Sequence, residues 1–135
     1  MIPYTLVFYV LLHQGICNEL IIKMIPKNLT AASTKLIILG ILRQGRSYGY
    51  LIIKNIRELS GGKMEYSDGM LYPVLHSLEK EGLIESKWVM EDNTSRPRKY
   101  YELTEQGKKA LVKEKEHWLQ VNTVLDAISQ MKPTN

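Results

Sequence analysis

Cysteine is almost missing from this 135-residue chain, with Cys17 as its single thiol. One cysteine cannot close an internal disulfide. That excludes a stapled secreted framework, fits a reducing cytoplasm, and leaves Cys17 as a small buried apolar residue. The three histidines, His13, His76 and His117, stand in no His-Glu-x-x-His or Cys-x-x-Cys pattern, and no glycine-rich phosphate loop is present. Neither a metal site, a bound cofactor nor a catalytic centre is therefore expected. A run of ~20 apolar residues, long enough to span a bilayer, is also lacking. Ile2 to Leu12 is almost entirely apolar but only eleven residues long. It has no positive charge before it and no small-residue cleavage site after it, which disfavours a signal peptide. No membrane partner is expected.

What is present suits one domain with a modest core that gains from dimerisation, at 44% hydrophobic residues. A net charge of +4 is compatible with an anionic partner but does not demand one. Residues 1–27 form an apolar N-terminal extension. Its Tyr4, Val7, Phe8, Tyr9 and Val10 leave helix or strand open. Either it is a helix that buries itself against a dimer, or Met24-Ile25-Pro26-Lys27 is the natural start and the rest precedes it.

From Asn28 the pattern is regular. Thr30 is read as the N-cap of a helix whose apolar face is Ala31, Leu36, Ile37, Leu39, Gly40, Ile41 and Leu42, ending at Gly45. Ser47 is read as the cap of a second helix with Leu51, Ile52, Ile56 and Leu59 inside, stopped by Gly61-Gly62. Ser67-Asp68 opens a third helix, whose buried stripe is Leu71, Leu75, Leu78 and, past its end, Leu83. Pro73 removes one of its backbone bonds, and Gly82 stops it. Ile84 to Met90 alternates as a half-buried strand with Ile84, Ser86, Trp88 and Met90 on one side. A polar turn follows, and Arg98 to Leu103 returns as a second strand.

Three capped helices and a cationic hairpin describe a winged helix, and a module of this kind needs a polyanion; double-stranded DNA is the expected one. Arg96, Arg98 and Lys99 crowd around Pro97, placed to reach phosphates or a minor groove. The outward side of the third helix offers Ser67, Gly69, Met70, Tyr72, Pro73 and His76. About fifteen residues make a rod of roughly 22 Å, enough to lie along a major groove. Tyr72 and Tyr48 supply hydroxyl donors for phosphate, and Lys63 a mobile charge. Asp68 would repel phosphate, so it is expected to serve the helix N-terminus.

Thr104 caps the last helix. Along it Leu111, Trp118, Val121, Leu125 and Ile128 recur at intervals of 7, 3, 4 and 3 residues. Such a seam exceeds what the small winged unit can cover, so pairing with a second copy is expected. Lys108, Lys109, Lys113 and Lys115 alternate with Glu105, Glu114 and Glu116 as a solvated face.

Several blocks together are similar to the PadR family of bacterial transcription regulators. They are Tyr48-Gly49-Tyr50, Leu59-Ser60-Gly61-Gly62, Ser67-Asp68-Gly69-Met70-Leu71-Tyr72-Pro73, Leu78-Glu79-Lys80-Glu81-Gly82-Leu83-Ile84, Trp88, and Arg96-Pro97-Arg98-Lys99-Tyr100-Tyr101-Glu102-Leu103-Thr104. Met70 departs from the usual Thr or Ser, and Ser77 from a frequent basic residue. The resemblance implies a dimeric winged-helix repressor, often acting near its own gene and relieved by a small molecule. Glu116-His117-Trp118-Leu119-Gln120-Val121 resembles the small multidrug-responsive members. There a tryptophan at this place helps sandwich flat aromatic ligands, which points to Trp118, with Asp126 as counter-charge.

The expected fold is mainly α with a small β-hairpin wing: a winged helix-turn-helix over residues 28–103, a long C-terminal dimerisation helix over 104–131 and a tail at 132–135. The expected function is a cytoplasmic homodimeric regulator on an inverted-repeat operator, released by a planar aromatic molecule. A winged-helix protein-interaction module without ligand response is the rival, and the cationic wing favours DNA over a protein groove.

Overall fold

The computed structural model describes residues 24–93 and 95–134. Expectations for the apolar segment before Met24, and for Cys17, lie outside the described residues. The order of elements is α1 (Lys27–Arg43), β1 (Ser47–Tyr48), α2 (Gly49–Leu59), α3 (Asp68–Lys80), β2 (Ile84–Val89), β3 (Arg98–Leu103) and α4 (Glu105–Ser129). The fold is mostly helical with one antiparallel sheet in the order β1-β3-β2, as expected apart from the extra strand.

Thr30 is not a cap. Pro26 occupies that position, and the Thr30 N–H already donates to its carbonyl at 3.0 Å, so α1 begins a turn earlier. Thr30 is instead buried. Its carbonyl accepts from the Thr34 hydroxyl at 2.7 Å and from the Tyr66 hydroxyl at 3.2 Å. The apolar side of α1 is Ile38, Leu39, Ile41 and Leu42; Ala31 is exposed, and Ile38, absent from the expected face, is fully buried.

Ser47 is not a cap either. It pairs with Tyr101 in the sheet, and Tyr48 precedes α2 without a side-chain cap bond. Ile52 and Ile56 are buried as expected, but Leu59, the last residue of α2, is 80% exposed. Gly61 and Gly62 take φ of 61° and 81°, a left-handed reversal that other residues resist.

In α3, Leu71, Leu75 and Leu78 are buried, and Leu83 joins them in one core with Ile38, Leu39 and Ile56. β2 and β3 pair from Ile84↔Leu103 to Val89↔Arg98. The inward alternation holds for Ile84 and Ser86 and then fails. Trp88 is 68% exposed and Met90 is exposed beyond the strand, because the hairpin projects past the helices that would cover it. Thr104 caps α4 as expected: its hydroxyl accepts from the Gly107 N–H at 3.0 Å and donates to the Gly82 carbonyl at 2.7 Å. The first turns of α4 pack on α1, and Leu111 is buried in the chain's own core.

Candidate nucleic-acid interface

With its leucines committed inward, α3 turns Ser67, Gly69, Tyr72, Pro73 and His76 to solvent. Its 13 residues make a rod of about 20 Å. Met70 differs from the expectation: it is half-buried and packs against the core, so only part of it faces outward. The Met70 and Leu71 N–H groups donate to the Ser67 carbonyl, and Asp68 sits in the first turn, where a carboxylate favours the positive helix end. The Tyr72 hydroxyl leans on the start of α2. A Cβ at Gly49 would stand 2.5 Å from it, so glycine is what lets the two helices meet there. Tyr48 is the residue before Gly49, and the two tyrosines expected to face phosphate thus belong to one corner.

The wing cations are distributed differently from the sequence expectation. Arg96 is exposed in the turn, but Arg98 and Lys99 are residues of β3, not of the tip. Arg98 Nη1 lies 3.1 Å from Glu91 Oε2, and its guanidinium carbon lies 4.5 Å from the centre of the Tyr48 ring. Tyr48 meets Tyr100 edge to face, with centroids 5.4 Å apart. Arg46 covers the Tyr100 ring at 4.9 Å. The Tyr100 hydroxyl donates to Glu91. That bond to a carboxylate, followed by desolvation, pushes the Tyr100 phenol above its ordinary value of 10.0. Lys99 is half-buried, with its ammonium 6.0 Å from the Trp88 ring and 5.7 Å from that of Tyr101. Lys63 is half-buried in the loop before α3, its carbonyl accepting from the Ile25 N–H at 3.0 Å.

Sequence reasoning missed Arg46 and Glu91 here. Assigning Ser47 to a helix cap hid the short strand β1, and with it the pairing Tyr48↔Tyr100 that carries Arg46 over the sheet. Glu91 had no signal beyond its place in a polar turn.

At the other end of the molecule, Trp118 is half-buried, and Asp126 lies about 12 Å further along α4. Val121, Leu125 and Ile128 are exposed in the single chain, whereas Leu111 is not available to a partner. A hollow of about 690 Å³ between α1 and α4 is lined by Leu36, Gly40, Leu111 and Leu119 among others. Among the described residues no cluster of three His, Cys, Asp or Glu could hold a metal ion, and no helix is long and apolar enough to cross a membrane.

Residues 38–113 match the Transcriptional regulator PadR-like family. A transcriptional regulator from Clostridium thermocellum superposes with a TM-score of 0.68 at 32% identity, covering 74% of this chain and 96% of that one. A PadR-like transcriptional regulator from Bacillus cereus gives a TM-score of 0.68 at 28% identity, covering 78% and 99%. An uncharacterised protein of Lysinibacillus sphaericus is 30% identical over 90 residues, 67% of this chain and 82% of its own length. The transcriptional regulator YqjI of Escherichia coli K12 is 37% identical over 82 residues, 61% of this chain but only 37% of that protein.

Proposed function

Because this chain belongs to the PadR-like family of transcriptional regulators, which bind DNA and are not enzymes, we propose that it is a homodimeric repressor of an inverted-repeat operator, released by a planar aromatic compound. The observation that carries the DNA side is the division of α3. Its leucines are spent on the core, while Ser67, Gly69, Tyr72, Pro73 and His76 are left open to solvent, with polar groups at Ser67, Tyr72 and His76. Two such helices about 34 Å apart would enter successive turns of one duplex face. Lys63, Arg96 and Lys99 would neutralise phosphates and the Tyr48 hydroxyl would donate to one, with the outer part of Met70 against a base edge. A cytoplasmic location follows from this role.

Pairing along α4 is supported by the exposed stripe Val121, Leu125 and Ile128. The same pairing would bring two copies of Trp118 toward one axis, giving indole faces for a flat cationic ligand and Asp126 for its charge. Selection from random duplexes by the purified protein, repeated with a panel of planar aromatic compounds, tests both parts. An inverted repeat should emerge, an active compound should release it, and Trp118→Ala should weaken that compound's binding by about tenfold while operator binding persists. Recovery of no sequence would sink the operator; unchanged ligand affinity in Trp118→Ala would sink the pocket.

A further inference from the structure

Resting on that DNA-binding reading, we propose that Arg98 is a positioning residue and not a phosphate contact: Glu91 locks it onto Tyr48 and so fixes the wing against the reading helix. The guanidinium is engaged on an edge by Glu91 at 3.1 Å and on a face by the Tyr48 ring at 4.5 Å. Glu91 is itself held, since its other oxygen accepts the Tyr100 hydroxyl. Tyr100 in turn packs edge-on against Tyr48, its partner across the sheet. These contacts close a ring through the wing turn, β3 and β1.

The ring continues into the reading helix. Tyr48 is the N-cap of α2, and the next residue, Gly49, lies under the Tyr72 hydroxyl of α3. Glu91, Arg98, Tyr48 and, through the adjoining Gly49, Tyr72 therefore make one line from the wing to the surface proposed to read bases. An exposed ion pair alone stabilises little, and both partners here are roughly two-fifths exposed. The geometry has a different consequence. While Glu91 is in place, its charge cancels that of Arg98 as seen by a phosphate. An Arg98 that left for DNA would abandon a carboxylate beside the polyanion. Net attraction from Arg98 is therefore close to zero, and its contribution is to preorganise the wing for one register.

Salt titrations on the full chain with its selected operator and a scrambled duplex separate the possibilities. Arg96→Ala removes an exposed wing cation and should flatten the salt slope by about one unit on both duplexes. Removing both partners of the pair, Glu91→Ala with Arg98→Ala, keeps the net charge there at zero, so it should leave the slope unchanged and lower the ratio of operator to scrambled affinity by about tenfold. Arg98→Lys, which keeps the charge but loses the flat stacking and the fork, should lose the same ratio. Glu91→Ala should release Arg98, steepen the slope by about one unit and tighten scrambled binding; adding Arg98→Ala to it should cancel the steepening. A slope flattened by about one unit in the double variant, with the affinity ratio intact there and in Arg98→Lys, would overturn the lock. Failure of the unaltered protein to prefer any duplex would instead overturn the DNA reading beneath it.

Discussion

Gly107 holds the last helix against the wing by the absence of a methyl group. A Cβ there would stand 2.0 Å from the Leu83 carbonyl oxygen and 2.8 Å from Leu103 Cδ1. The carbonyl cannot turn aside, because the Thr104 N–H donates to it at 3.1 Å. Gly107→Ala must therefore push the first turn of α4 outward and loosen the Thr104 cap. We expect a loss of about 1–3 kcal/mol in urea unfolding, and an unchanged midpoint would mean that the helix and strand approach less closely than described. None of this was visible in the sequence, since the partner of Gly107 is a backbone atom of another element. The same limit explains the caps. Thr30, Ser47 and Thr104 carry similar local signals, yet the cap at Thr104 was legible and the other two are buried, one bonded to Tyr66 and one paired in a sheet. Side-chain chemistry nominates a cap, and tertiary contacts decide whether it is used.

Among the elements, α1 and α3 are joined through Tyr66, the residue before the Ser67 cap. Its hydroxyl lies 2.6 Å from Thr34 Oγ1, inside the body. Burial pushes the Tyr66 phenol above 10.0, with the Thr34 bond opposing; burial also raises that of Tyr101, aided by Tyr72 and Glu79. Raised values mean that the folded state prefers the neutral phenol. The stability these groups contribute is fully present below pH 10.0, the ordinary value, and is lost as pH rises through their higher folded values. Urea melts from about pH 9 to about pH 11 should show that decline, and Tyr66→Phe should make it shallower by up to one proton. An equally steep decline in Tyr66→Phe would show that Tyr66 ionises as freely folded as unfolded. At this scale the sequence served well for α3 and α4, whose apolar stripes repeat often enough to declare a period. It failed for β1, whose two residues are too short to have one, and for Trp88, where strand alternation outlasts the body that buries it.

For the whole molecule, the decisive feature is the outer half of α4, where Leu125 and Ile128 are each 58% exposed in the single chain and neighbour exposed Val121 and Val124. Period reasoning found this seam but extended it to Leu111, because a helix stripe does not reveal where the chain's own core ends and a partner's surface begins. A charge placed in the outer half tests the pairing without disturbing the monomer. Leu125→Asp occurs twice in a symmetric dimer and would bury a carboxylate opposite an apolar face. It should weaken association by at least about 2 kcal/mol, or about thirtyfold in the dimer dissociation constant. Because Leu125 makes little contact within its own chain, urea stability extrapolated to low protein concentration should hardly change. Operator affinity should fall with the loss of dimer and recover as protein concentration rises. Sedimentation of the parent and Leu125→Asp at matched concentrations reads this directly. A parent that sediments as a monomer, yet grips its operator as tightly as a two-site protein should, would leave the exposed seam without the role assigned to it.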